Sequence, residues 1–306
     1  MRIVFAGTPD AAVPSLTALH EAGHDIAAVV TRPDAPLGRR RVLTPSPVAQ
    51  EAERLGLPVI RAARLDEEAT ERLAALGADL GVIVAYGGLV REPLLSTPPR
   101  GWINLHFSLL PRWRGAAPVQ HALIAGDAET GAAVFQLVEG LDAGDLLAVE
   151  RVVPGAEQTA GELLAQLAGS GAGLLRDAVA AIARGEATPR PQEGEPTLAP
   201  KLTLSDGLLD WTRPADEVHA RYRGTTPEPG AHTTVDGARL KVLAARRAEG
   251  DAVSLEPGEA RGVRDGVLVG TATEPLLVTR VQPAGKGAMA AADWLRGARG
   301  DVVLGS

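Results

Sequence analysis

Arg2-Ile3-Val4-Phe5-Ala6-Gly7-Thr8-Pro9-Asp10, residues 2–10, decides how the rest of the chain is parsed. Residues 2–6 are an apolar run of strand length, and Gly7-Thr8-Pro9-Asp10 carries the chemistry of a turn. A helix then runs to about Ala22, closed by Gly23, and Ile26 to Thr31 is a second strand. The alternation continues outward. Helices are expected over Val48–Leu55, Asp66–Ala75 and Ala117–Ala125, and strands over Leu80–Val84, Trp102–His106 and Ala132–Leu137. Thr159 to Arg184 is a long amphipathic helix. Such a pattern predicts an α/β domain with a mostly parallel sheet and helices on both faces. Ligands of such sheets sit outside the carboxyl ends of the strands.

Two segments break the pattern. Arg32 to Pro47 is a long polar loop with four prolines and four arginines, and loops of that length are usually functional or disordered. Glu186 to Pro200 has four prolines and no apolar period, which predicts an extended linker. Beyond it, Pro214–Arg223 reads as one helix. Ala231–Val235, Arg239–Ala245, Gly266–Gly270 and Leu276–Val281 read as short strands of a small barrel or sandwich. The expected domains are therefore 1–185 and 206–306, with a linker at 186–205.

Composition narrows the function. The absence of cysteine excludes a disulfide scaffold, a thiol nucleophile and a thiolate metal site together. A net charge of −7 gives no bulk signal for nucleic acid. Only Lys201, Lys241 and Lys286 among the 31 basic residues are lysine; with so much Ala and Gly this is a coding bias, so the arginine excess carries little weight. The N-terminal apolar run is too short for a signal peptide, and Leu80–Val90 is too short to cross a bilayer. A cytoplasmic protein without membrane association is expected, acting as a monomer.

Asn104-Leu105-His106 ends a strand, and residues two apart on a strand share a face. An amide and an imidazole side by side can hold an oxyanion and move a proton. Asp142, in Glu139-Gly140-Leu141-Asp142-Ala143-Gly144-Asp145, is flanked by two glycines in a turn and could orient His106 or take a proton. Spacing alone leaves the opposite reading equally open, with Asn104 a turn former, His106 a satisfied core residue and Asp142 a loop cap. His106 and His121 lack the ligand spacing zinc prefers, and no metal is expected.

The stretch Ser108-Leu109-Leu110-Pro111-Arg112-Trp113-Arg114-Gly115-Ala116-Ala117-Pro118, preceded by Asn104 and His106, resembles the signature of the folate-dependent formyltransferases. The likeness extends through 5–10, 32–47, 126–131 and 140–145, and through Asp210-Trp211, 226–231 and 282–286, nearly the whole chain. It is most similar to the branch acting on methionine carried by initiator tRNA. The resemblance implies a Rossmann-like N-terminal formyltransferase domain and a C-terminal OB-like β-barrel. It implies 10-formyltetrahydrofolate as formyl donor and methionyl initiator tRNA as acceptor, with no metal. It places the family's Asn, His and Asp on Asn104, His106 and Asp142. The folate-contacting segments fall on Ser108, Leu109, Leu110 and Pro111 and on Tyr86, Gly87, Gly88 and Leu89. The tRNA contacts fall on Arg39, Arg40 and Arg41, with Arg39, in the Gly38-Arg39 step of the family pattern, foremost; Lys286 and Arg223 are weaker phosphate candidates on the barrel side. Phe107 stands where many relatives have a small residue, Gly88 makes a Gly-Gly pair, and Arg40 and Arg41 stand where lysine is common.

Rival readings are weaker. A sister enzyme acting on a nucleotide precursor or sugar amine, or a formyltetrahydrofolate hydrolase, could use the same trio. The arginine loop and second domain argue against the nucleotide-precursor enzyme and the hydrolase, while a sugar-amine enzyme can also carry a barrel-like second domain, so the Trp113-Arg114-Gly115 context matters more there. A dinucleotide-dependent oxidoreductase needs glycines that the first turn lacks. An RNA-binding module using Trp211, Trp294 and Tyr222 for stacking leaves the polar trio unexplained.

Overall fold

A computed structural model describes residues 1–38, 41–249, 254–298 and 301–306. The chain divides into two compact units. The first comprises Met1–Pro118, Glu129–Val153 and Leu164–Ala199; the second comprises Val119–Ala128, Pro154–Leu163 and Pro200–Ser306.

The first unit is built on β1 (Arg2–Gly7), β2 (Asp25–Thr31), β3 (Ala35–Leu37), β4 (Val42–Thr44), β5 (Val59–Arg61), β6 (Leu80–Val84), β7 (Trp102–His106), β8 (Arg114–Gly115), β9 (Thr130–Gln136), β10 (Leu146–Val152) and β11 (Leu198–Ala199). Its helices are α1 (Val13–Glu21), α2 (Pro47–Arg54) and α3 (Glu67–Ala74). Two further helices, α4 (Pro118–Ile124) and α5 (Ala160–Arg184), run across the division between the units. Seven strands form one sheet in the order β10-β9-β7-β6-β1-β2-β5. The pairs β7–β6, β6–β1, β1–β2 and β2–β5 are parallel, while β9 adds antiparallel to β7 and β10 to β9. The sheet is thus mostly parallel, as the strand–helix alternation requires. Leu80 to Val84 is buried throughout, as a central strand covered on both faces must be.

Local chemistry fixes the helix starts. Ser46 accepts a hydrogen bond from the Ala49 amide at 3.0 Å with Pro47 in the first turn of α2. Asp66 does the same for α3 from Ala69 at 3.1 Å, with Glu67 and Glu68 behind it. The expected loop 32–47 is not wholly irregular. Ala35–Leu37 and Val42–Thr44 pair as a two-stranded hairpin that leaves Leu37, Val42 and Leu43 exposed. Its prolines and arginines dominate the composition, so the short β runs do not stand out in the sequence.

In the second unit, a short helical turn at Leu204–Gly207 and α6 (Ala215–Thr225) precede β12 (His232–Val235), β13 (Ala238–Arg247), β14 (Ala260–Val263), β15 (Gly266–Val269), β16 (Leu276–Pro283) and β17 (Met289–Ala290), and α7 (Ala291–Arg296) follows. The strands make an antiparallel, barrel-like sheet in the order β12-β13-β16-β15-β14, with β17 on β16. Trp211 and Tyr222 are buried in its core, and the Trp211 indole donates to Thr233 Oγ1 at 2.9 Å. These rings are packing residues, which removes them as stacking surfaces for RNA. No helix among the described residues is long and apolar enough to cross a membrane.

Candidate active site

The carboxyl ends of β1, β6 and β7 lie side by side, and Thr8 Oγ1 ties the first two together by donating to the Tyr86 carbonyl at 2.9 Å. On β7, Asn104 pairs with Ile83 and Phe135, and His106 with Ala133. The alternation of the strand puts both side chains on one face. His106 is buried, with its ring edge-on to Phe135 at 6.4 Å. The Asn104 side-chain oxygen is buried and has no hydrogen-bond partner. Such an atom costs stability unless something satisfies it.

Beyond His106 the chain folds back on itself. Ser108 Oγ donates to the Arg112 carbonyl at 2.6 Å, closing a loop whose next residue, Trp113, adopts φ 62°. The Trp113 carbonyl then accepts from His106 Nε2 at 2.9 Å. A carbonyl only accepts, so the ring proton of neutral His106 is on Nε2 and its lone pair is on Nδ1. That lone pair faces Asp142 Oδ2 at 3.8 Å. The separation is too long for a direct hydrogen bond. Burial pushes the imidazole pKa below its usual range, with the Asp142 charge and the Trp113 carbonyl pulling the other way.

Asp142 sits at φ 44°, in the left-handed region. Its Oδ2 accepts from the Gly115 amide at 2.8 Å. Gly144 lets its loop close: a Cβ there would lie 1.7 Å from the Gln136 carbonyl oxygen. The 190–199 segment supports this arrangement. Arg190 and Leu146 exchange two backbone hydrogen bonds, Thr197 Oγ1 accepts from the Trp113 amide at 2.9 Å, and β11 pairs parallel with β8. Gln192 bonds to both the Asp142 loop and Arg114. Sequence reasoning missed Thr197 and Gln192 because the segment reads as a featureless linker. The only signal was a polar side chain among prolines.

Asn104, His106 and Asp142 are therefore brought together, with a lone pair, a carboxylate and an unsatisfied amide in one place. The other expected residues are placed differently. Ser108 is fully buried, and its hydroxyl is spent on Arg112. Leu110 and Pro111 are buried, leaving Leu109 half-buried. Tyr86 is a core residue whose hydroxyl donates to the Ala62 carbonyl at 3.1 Å. Gly87, Gly88 and Leu89 line a cleft of about 410 Å³ with Arg32, Arg64 and Arg91. Arg41 is exposed at φ 49°, and Lys286 is exposed. Arg39 and Arg40 lie outside the described residues. Arg223 donates to the Gly155 carbonyl and keeps a buried, unpartnered Nε. No group of three or more metal-ligating side chains occurs among the described residues.

Comparison with known proteins covers the whole arrangement. Residues 1–179 match the family described as formyl transferase, and residues 201–299 match the formyl transferase C-terminal domain. The methionyl-tRNA formyltransferase of Clavibacter sepedonicus is 64% identical over 297 residues, covering 97% of each chain. That of Leifsonia xyli subsp. xyli is 64% identical over 306 residues, covering 99% of this chain and all (100%) of its own. Among solved structures, the N-formyltransferase of Helicobacter canadensis in complex with folinic acid and dTDP-3-aminofucose superposes with a TM-score of 0.68 at 14% identity, over 92% of this chain and 98% of that one. HypX of Aquifex aeolicus with tetrahydrofolic acid gives a TM-score of 0.62 at 17% identity, over 96% of this chain and 47% of its own. The structural likenesses speak to the fold alone.

Proposed function

Because the chain belongs to the formyl transferase family, we propose that it moves the formyl group of 10-formyltetrahydrofolate onto the α-amino group of methionyl initiator tRNA. The observation that carries this reading is the full-length 64% identity to enzymes named methionyl-tRNA formyltransferase. The trio of polar groups at the sheet's carboxyl edge supplies the chemistry. An aminoacyl-tRNA acceptor supports a cytoplasmic location, and one chain supplying the whole trio supports a monomer.

The reaction joins the amine nitrogen to the formyl carbon and breaks the bond from that carbon to the folate nitrogen. The α-amino group has a pKa near ~8, so its neutral form is accessible at neutral pH. Attack places negative charge on the formyl oxygen and positive charge on the amine. The amide of Asn104, unpartnered at its oxygen, is free to turn its NH₂ to that oxyanion. His106 cannot donate from Nε2, which is committed to Trp113. It donates from Nδ1 once protonated, and the Asp142 carboxylate facing that atom favours protonation. Asp142 takes the amine proton, directly or through a water, and returns it to the departing folate nitrogen. No covalent enzyme intermediate and no metal is required.

Ser108–Pro111 and Tyr86–Leu89 are assigned to the folate through backbone groups and Leu109. Arg39, Arg40, Arg41 and Lys286 are assigned to tRNA phosphates. The deciding assay is formylation of methionyl initiator tRNA by wild type, His106→Ala and Asp142→Ala. Absence of product with wild type defeats the substrate assignment, and full activity in both variants defeats the mechanism.

A further inference from the structure

Gln192 lies in the segment that the sequence presents as a spacer, yet its side chain is held at both ends. Its Nε2 donates to the carbonyl oxygens of Asp142 and Gly144, each at 2.8 Å. Its Oε1 accepts from Arg114 Nε and Nη2 at 3.2 and 2.6 Å. Both amide hydrogens are used, and the oxygen takes two donors. We infer that Gln192 is a positioning residue for Asp142. The backbone at Asp142 is left-handed, a conformation that costs a non-glycine residue about 1–3 kcal/mol and persists only when its surroundings over-determine it. Two holds supply that determination. The Gly115 amide holds the carboxylate, and Gln192 holds the carbonyls of Asp142 and Gly144. Arg114, next to Gly115 in sequence, is gripped by the same Gln192 side chain, so the two holds form one unit. Removing Gln192 releases the carbonyls that set where Oδ2 points, and with it the 3.8 Å approach to His106.

The inference rests on Asp142 being the proton handler. Its test uses the full-length enzyme with Gln192→Met and Gln192→Glu, and with Asp142→Ala run in parallel. Gln192→Glu keeps an acceptor for Arg114 but turns an oxygen toward two carbonyl oxygens. Both Gln192 variants are expected to lose kcat on the order of 10²-fold, the cost of roughly 1 Å of misplacement. KM for both substrates should stay within about three-fold, since ground-state binding is untouched. In Gln192→Met, which adds no charge, the pH profile of kcat should also shift, because the His106–Asp142 separation changes; a merely structural role would leave it in place. If Gln192→Met proves unstable, Gln192→Glu decides. Wild-type kcat in the folded variants, or a loss confined to KM, overturns the inference. If Asp142→Ala is itself fully active, the parent reading fails instead.

Discussion

Asp142→Asn separates chemistry from architecture. The asparagine has the shape of the aspartate, and its amide oxygen can still accept from the Gly115 amide, now at 2.8 Å from Oδ2. That hydrogen bond changes from charge-assisted, about 1.5–3 kcal/mol, to neutral, about 0.5–1.5 kcal/mol. The difference is about 1 kcal/mol, which lowers the melting midpoint of a unit this size by roughly 2–4 °C. The amide cannot take a proton at working pH. Losing a general base costs about 10²–10⁴ in rate, which is about 2.7–5.4 kcal/mol at about 1.36 kcal/mol per decade. His106 does not compensate. Its burial already disfavours the imidazolium, and the Asp142 charge that opposes burial is gone. The assay is single-turnover formylation of methionyl initiator tRNA together with thermal unfolding of the same sample. A rate within about ten-fold of wild type refutes the proton-handling role. A midpoint drop greater than ~10 °C, far above the effect of one hydrogen bond, would show that Asp142 serves the fold and that the rate loss follows from it.

Asn104→Ala should lower kcat by about 10²–10³ with little effect on KM, as expected when an oxyanion donor is removed; a change in KM alone would show that Asn104 only binds. Gly144→Ala should cost about 1–3 kcal/mol in stability, because its Cβ would meet the Gln136 carbonyl, and should also lower kcat, because the loop it displaces carries Asp142; urea unfolding and initial rates read both. His106, held below its usual range by burial, binds fewer protons folded than unfolded, so its contribution to stability is fully present above about pH 6.5 and is lost as pH falls toward the depressed folded value. His219, also lowered by burial, acts with the same sign, so His106→Asn should reduce the acid-side slope of stability against pH without abolishing it, as urea unfolding across that range would show. Arg39→Gln/Arg40→Gln/Arg41→Gln should flatten the salt dependence of KM for tRNA by about 0.7–0.9 for each phosphate no longer neutralised, with KM for the folate donor unchanged.

The parallel sheet was legible because its signals are local. Residues 2–6, 26–31 and 80–84 are apolar runs of strand length, and each is followed by residues that stop a strand. β5, β10 and β14 were not anticipated. β5 has three residues, and β10 and β14 are partly exposed strands without a clean alternation to detect. The trio was legible as residue types, Asn104 and His106 from strand periodicity and Asp142 from its glycines. Their proximity was not, because Asp142 follows His106 by a full helix and strand. The tautomer of His106 depends on a carbonyl seven residues away, placed by the left-handed turn at Trp113. No side-chain pattern encodes that choice.

The 190–199 segment shows why composition misled. Proline-rich, polar sequence is read as a spacer because it cannot form helix or sheet interior. Those properties also suit it to lie extended against other strands and offer its free amides and carbonyls to them. Arg190 bonds to Leu146, Gln192 to Asp142 and Gly144, Thr197 to Trp113, and Ala199 to Ala116 and Ala117. These partners flank Asp142 on one side and the carbonyl that orients His106 on the other. The segment therefore holds both the Asp142 loop and the carbonyl that orients His106, and it runs directly into Pro200, where the second unit resumes. It follows that inserting flexible residues between Ala199 and Pro200 should leave kcat intact, because those attachments lie upstream. The same insertion between Arg190 and Gln192 should lower kcat as severely as replacing Gln192, and equal rates for the two insertions would show that the segment is only a tether.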